Sequence, residues 1–113
     1  MKLDHLDQDF VASVAELADH RKALAAANRD LRERELQARE LRARCEEELR
    51  QGGEGRVALG KTDAEKQAKL HPDYLAFERE TSRLEYERDV ELANAEALSL
   101  ELRATIAQDG VLN

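Results

Sequence analysis

The chain has 113 residues and a net charge of −7; charged residues make up 38% of it and aromatic residues 4%. This length allows one domain at most, and a composition rich in helix formers but poor in aromatic and β-branched residues is typical of long helices and coiled coils. The acidic balance disfavours general affinity for nucleic acid or for an anionic membrane surface. No apolar run approaches the roughly 20 residues of a membrane span.

The N-terminus lacks the apolar stretch of a signal peptide. A single cysteine, Cys45, excludes an internal disulfide and fits a reducing compartment. These features predict a cytoplasmic protein that does not interact with membranes.

Residues 1–51 form the first predicted helix, because they carry a seven-residue repeat and almost no helix breakers. The repeat consists of Leu3, Phe10, Leu17, Leu24, Leu31, Ala38 and Cys45. A companion position, served by Leu6, Val14, Ala27, Leu41 and Leu49, varies between offsets of three and four. The pattern favours a coiled-coil seam, although the nearby polar residues His20, Arg21, Asn28 and Glu35 make it imperfect.

Residues 52–61 form the predicted turn, since four of the five glycines lie there. The second helix is predicted over residues 62–109, with a kink near 71–72, where Pro72 opens its longer part, and residues 110–113 form a tail. Thr62 and Glu65 fit a capping box at its start, and Gly110 marks its end. The seam of this helix is predicted at Phe77, Thr81, Leu84, Ala95, Leu98 and Leu102.

The expected fold is therefore all-α, with two long helices in an antiparallel coiled-coil hairpin. A single helix running through the glycines in a parallel oligomer is the alternative, which three glycines within four residues make costly.

The end that holds both termini is apolar on two faces, which predicts burial on two faces. We therefore expect a dimer or tetramer, as a four-helix bundle or larger oligomer, through an interface of Val90, Leu92, Ala93, Ala97 and Leu100. The alternative is that the alanines only raise helix propensity and stay in contact with water.

Arg29, Arg32, Arg39 and Arg42 lie on one side of the first helix and could contact phosphates or an unidentified partner. Arg32 and Arg39 also flank the seam, where coiled coils place ion pairs between helices. The second helix offers Glu78, Glu80, Glu85 and Glu87 for such pairs. Nucleic-acid binding is thus the disfavoured interpretation of this set.

Residues 55–62 match G-x-x-x-x-G-K-[ST], the phosphate-binding loop (P-loop) of many nucleoside triphosphatases. That chemistry needs a strand before the loop, whereas a long charged helix precedes it here. Nucleotide binding would require stabilisation by nucleotide that Lys61→Ala removes, and we expect neither effect. His5, His20 and His71 are far apart and Cys45 has no second cysteine, whereas a metal site needs three or four converging ligands, so we expect no metal site within one chain. We expect no cofactor and no enzymatic activity.

One stretch of the chain reads Leu59-Gly60-Lys61-Thr62-Asp63-Ala64-Glu65-Lys66-Gln67-Ala68, followed by Asp73-Tyr74 and a long Ala/Glu/Leu/Arg helix. This stretch resembles small uncharacterised helical proteins of tailed bacteriophages and prophages. In those proteins a GK-(N/T)-x-x-E-(R/K) loop opens a second helix. The resemblance covers roughly residues 57–107 and transfers no catalytic residue. It implies an accessory role, in the host cytoplasm if the protein is phage-encoded.

Two functions follow from these patterns. The first is a non-enzymatic helical-hairpin interaction or structural protein that contacts itself and an unidentified protein. The alternative is a nucleic-acid-binding accessory protein of replication or recombination that uses the segment Arg29–Arg44.

Overall fold

A computed structural model describes residues 2–53, 55 and 57–112, with side chains for residues 8–53, 55 and 57–108. Three helices account for most of these residues: α1 (Lys2–Gln51), α2 (Lys61–Ala68) and α3 (Pro72–Leu112). No strand occurs in this part of the chain, so the all-helical fold class is confirmed. None of the helices, within the residues described, is long and apolar enough to cross a membrane.

The described chain divides into two compact units. The terminal unit comprises Met1–Asn28 and Tyr86–Asn113, and the middle unit comprises Arg29–Glu85. Each unit contains part of α1 and part of α3, and the middle unit also contains α2.

The seven-residue series of α1 is its least exposed stripe. Leu17, Leu31 and Cys45 are buried, and the intervening Phe10, Leu24 and Ala38 are half-buried. Leu3 and Leu6 lie outside the side chains that the structure describes. Val14, expected at the companion position, is instead 43% exposed, because between residues 13 and 41 the companion position lies at an offset of three. Its residues there are Ser13, His20, Ala27, Arg34 and Leu41, whereas Leu49, at an offset of four, is half-buried as expected.

In the terminal unit, the core is a small apolar cluster of Leu17, Ala95 and Leu102, against which Phe10, Leu24 and Leu98 pack. Residues from both helices are therefore needed to bury this apolar surface. In the middle unit, the buried residues are Leu31, Cys45, Ala64 and Ala68. The two alanines lie four residues apart on α2, so one face of that short helix is covered.

The glycine-rich segment ends α1 and closes back on it. Gly52 has φ 71°, and its N–H donates to Glu48 O at 3.2 Å, which is a left-handed helix cap. The N–H of Leu59 then donates to Leu49 O at 2.9 Å, so a carbonyl of the last helical turn is satisfied by the returning chain.

The start of the second helical segment differs from the predicted capping box. The N-cap of α2 is Gly60, which makes no side-chain cap hydrogen bond. Gly60 O accepts the N–H of Ala64 at 2.9 Å, so the first turn already contains Thr62. Thr62 is thus inside the helix and cannot act as its N-cap.

The Pro72 break separates α2 from α3, and α3 begins at Pro72 itself. His71 caps α3, because its Nδ1 accepts the N–H of Asp73 at 3.1 Å. At the other end, α3 continues through Gly110 to Leu112 rather than ending at residue 109. A glycine weakens a helix interior by about 1 kcal/mol but does not forbid it.

Candidate interaction surfaces

The terminal unit carries a second apolar stripe on α3. The stripe consists of residues spaced alternately by four and three: Tyr86, Val90, Ala93, Ala97, Leu100, Ala104 and Ala107. All of them are exposed, including Tyr86 at 70%, Leu100 at 64% and Val90 at 42%. We call this set the outer stripe.

The outer stripe lies nearly opposite the seam that α3 shares with α1. Each of its positions follows a seam position by two residues, as Tyr86 follows Leu84, and two residues turn a helix by about 200°. Four of the five predicted interface residues belong to it. The fifth, Leu92, is 43% exposed but lies between the two stripes. A helix that covered the outer stripe would therefore lie across α3 from α1.

A polar pair interrupts the apolar seam of the terminal unit. The imidazole Nδ1 of His20 donates a hydrogen bond to the carboxylate of Glu91, and Nε2 of His20 lies 3.7 Å from Glu16 Oε1. The hydrogen bond to Glu91 raises the pKa of His20, partial burial opposes that shift, and the charges of Glu91 and Glu16 add to it. His20 therefore binds its proton more tightly here than in an unfolded chain.

The middle unit is crossed by Arg34, a residue that sequence patterns did not single out. Its Nε donates to Thr81 Oγ1 at 2.9 Å, and its Nη2 donates to Phe77 O at 3.1 Å. The guanidinium also stacks 3.9 Å from the centre of the Phe77 ring. The planar guanidinium donates two hydrogen bonds and stacks at once, so this one side chain joins position 34 of α1 to positions 77 and 81 of α3.

A shallow groove of about 340 Å³ surrounds Arg34. Its other lining residues are Glu35, Ala38, Arg39, Glu78, Thr81 and Glu85. Acidic and basic side chains alternate there, so the groove has no single sign of charge that would select an ionic ligand. The guanidinium of Arg34 already contacts Thr81 and Phe77.

The four predicted contact arginines all lie on α1 in the middle unit, and acidic residues accompany them. Arg29 is 68% exposed and lies 4.0 Å from Asp30, and Arg42 lies 4.0 Å from Glu46. Arg32 and Arg39 are exposed. Of the glutamates expected to face them, Glu80 forms an ion pair with Arg83 on its own helix, which lowers the pKa of Glu80. Nothing in this placement forms an uninterrupted basic surface.

The tip of the glycine-rich segment exposes apolar side chains. Val57 is 85% exposed, and Ala58 is exposed, while Leu59 is half-buried. Of the residues that match the phosphate-binding loop, the structure describes Gly55, residues 57–60 in irregular conformation, and Lys61 and Thr62 at the start of α2, while Arg56 lies outside the described residues. They follow the helix α1 rather than a strand.

Cys45 is a core residue of the middle unit, with 3% of its surface exposed. Burial raises the pKa of its thiol, and the charges of Glu48 and Asp73 raise it further. The thiol is thus a poor nucleophile. Among the residues with described side chains, no three or more His, Cys, Asp or Glu residues are grouped so as to hold a metal ion.

Comparisons with known proteins add no further constraint. No family model matches the sequence, and neither curated proteins nor solved structures yield a match. The resemblance to phage proteins therefore stays a prediction, and the candidate surfaces must be judged on their own geometry.

Sequence reasoning missed Arg34 and Glu91 because it looked for apolar seam residues. A strict offset of three from the seven-residue series would have placed His20 and Arg34 in the seam. Counting sevens back from Leu98 would likewise have placed Glu91 between Leu84 and Leu98. The signal was a polar residue at a core position, which often specifies how helices pair.

Proposed function

We propose that this protein is a non-enzymatic interaction protein, built as an antiparallel helical hairpin that associates with itself through its terminal unit. The outer stripe carries this proposal. Tyr86, Val90 and Leu100 are large apolar side chains left exposed at regular helical spacing, and such a stripe is normally covered by another helix.

The pairing within each unit supports the antiparallel hairpin. In the terminal unit, His20 contacts Glu91, while the later residue Asn28 accepts a hydrogen bond from the earlier Arg88 at 3.5 Å. In the middle unit, Arg34 contacts Thr81, and Leu49 O accepts the N–H of Leu59 across the turn. Positions further along α1 thus meet positions earlier in the returning chain.

The position of the outer stripe favours a layered assembly over a closed four-helix bundle. In a closed bundle of four helices, each helix faces its two neighbours at about a right angle, whereas the two stripes of α3 are nearly opposite. If a second copy covers the outer stripe, α3 lies between α1 of its own chain and a helix of the second copy, and the three helices form one layer. The middle unit, with its charged surface and the exposed Val57, is then left for a different protein partner.

The test is the absolute mass of the protein in solution, measured by light scattering on a sizing column over a range of concentrations. We expect a mass of two or four times the 12.8 kDa chain, with dissociation on dilution. A mass of one chain at every concentration, up to millimolar, would refute the self-association.

Nucleic-acid binding through Arg29, Arg32, Arg39 and Arg42 stays an untested prediction that no contact favours. Binding of this kind weakens steeply with salt, so a titration with DNA and RNA at low salt decides it. Loss of binding on removal of all four arginines, with helicity unchanged, would be required to support it.

A further inference from the structure

The charges that border the outer stripe are arranged in a way that distinguishes between partners. In coiled-coil terms Val90, Ala97 and Ala104 occupy one core position, and Ala93, Leu100 and Ala107 the other. The border residues on one side are Asp89, Glu96 and Arg103. Those on the other side are Glu87, Asn94, Glu101 and Gln108.

We propose that the outer stripe binds the outer stripe of a second copy, with the two α3 helices antiparallel and Ala97 of each copy opposite Leu100 of the other. This proposal rests on the self-association proposed above and specifies its contact surface. It needs no other partner, because the stripe complements itself in this alignment both in side-chain size and in charge.

Side-chain size fits this alignment between residues 90 and 107, because each large residue there meets an alanine. Leu100 meets Ala97, and Val90 meets Ala107, while Ala93 meets Ala104. Alternating large and small side chains lets two helices approach closely without a void. Displacing one helix by one heptad instead puts Val90 against Leu100 and leaves Ala93 against Ala97, so the spacing required would vary along the helix.

Charge favours the same alignment. Border residues of one side face each other across an antiparallel pair, so Glu96 of each copy meets Arg103 of the other. On the opposite border, Glu101 meets Asn94, and Glu87 meets Gln108. Two symmetry-related ion pairs form, and no like charges face each other among these residues.

The competing alignments bring like charges together. In the displaced antiparallel alignment Asp89 meets Arg103 favourably, but Glu96 meets Glu96 of the second copy, and Glu87 meets Glu101, so repulsive pairs outnumber the attractive ones. In a parallel pair, a border residue faces the residue five positions further on in the other copy, so Glu96 meets Glu101. Facing like charges are unfavourable, and this selects the first alignment.

Exchange of the charges tests the alignment. Glu96→Arg places arginine against Arg103, and Arg103→Glu places glutamate against Glu96, so each variant should dimerise about tenfold more weakly than the wild type. An equimolar mixture of the two variants should recover the affinity as a heterodimer, and so should the double variant. Glu101→Arg is the matched control: it makes the same charge change beside the stripe but faces Asn94, so its affinity should stay within about threefold.

Dissociation constants from sedimentation equilibrium separate the outcomes. A wild type that stays monomeric would refute self-association and this alignment together. A wild type that associates, with Glu96→Arg binding as tightly or more tightly, would overturn the alignment alone. So would a mixture of the two single variants that fails to regain affinity.

Discussion

The terminal and middle units use the same two long helices but hold them together differently. In the terminal unit an apolar cluster around Leu17 supplies the core, and further apolar side chains remain exposed on α3. In the middle unit, Arg34 bridges the helices through Phe77 and Thr81, and the buried residues are small apart from Leu31. Both units expose some large apolar side chains, but the outer stripe, at regular helical spacing, belongs to the first.

This difference indicates a division of roles. Surplus apolar surface at regular spacing favours association with another helix, whereas directional polar contacts favour one alignment of helices over others. We therefore assign the proposed self-association to the terminal unit, and the alignment of α1 with α3 within one chain chiefly to Arg34 in the middle unit. Each prediction below tests one side of this comparison.

Replacing the central core residue of the terminal unit should have the largest effect on stability. We expect Leu17→Ala to lower the free energy of unfolding by about 2–4 kcal/mol, because buried leucine contacts are lost and a cavity forms beside Ala95 and Leu102. Urea unfolding followed by circular dichroism at one fixed protein concentration measures it. Leu36→Ala, at a position 59% exposed, should change the value by no more than about 0.5 kcal/mol. Equal effects of the two variants would contradict an apolar core at Leu17.

Removing the bridge of the middle unit should have a smaller effect. Arg34→Ala deletes two hydrogen bonds and the stacking on Phe77, which together contribute about 1–2 kcal/mol. Arg34→Lys should lie between this variant and the wild type, because lysine keeps the charge but not the planar group. Arg39→Ala is the control, since Arg39 lines the same groove but is exposed. If it destabilises the protein as much as Arg34→Ala, the bridge is not specific.

The polar pair of the terminal unit should give a pH-dependent contribution, which we expect to be the weakest of the three. The pKa of His20 is raised above its value in the unfolded chain, chiefly by Glu91. Its contribution to stability is therefore complete below about pH 6.5 and disappears as the pH rises through the raised pKa. The difference in urea midpoint between the wild type and Glu91→Gln, measured from pH 5 to pH 9, should narrow at high pH. A difference that is constant with pH would show that His20 is not the titrating partner.

The sequence predicted the elements that depend on apolar periodicity and strong breakers. The series from Phe10 to Cys45 lies along the least exposed stripe of α1, and α3 begins at Pro72. Spacing sufficed there because a helix with one buried face places apolar residues at a regular interval along the sequence.

What the sequence did not predict depends on contacts between distant residues. Arg34 and Glu91 occupy core positions only because each meets a particular side chain of the other helix, Thr81 and His20. Thr62 was misassigned as a cap because a local motif does not show where the first helical hydrogen bond forms, and Gly60 begins it earlier. Val14 was placed in the seam because apolar residues were preferred to the polar ones actually there.

The most direct test of the central claim is a matched pair of substitutions at exposed leucines, Leu100→Glu in the outer stripe and Leu36→Glu in the middle unit. The two side chains are similarly exposed, at 64% and 59%, so their effects on the isolated chain should be alike. Light scattering at a concentration where the wild type associates should find Leu100→Glu monomeric and Leu36→Glu as large as the wild type. Only the glutamate introduced at position 100 would have to lose its water in the interface, and burying an unpaired charge is costly. If Leu100→Glu associates as well as the wild type, or if Leu36→Glu alone is monomeric, the terminal unit is not the associating surface.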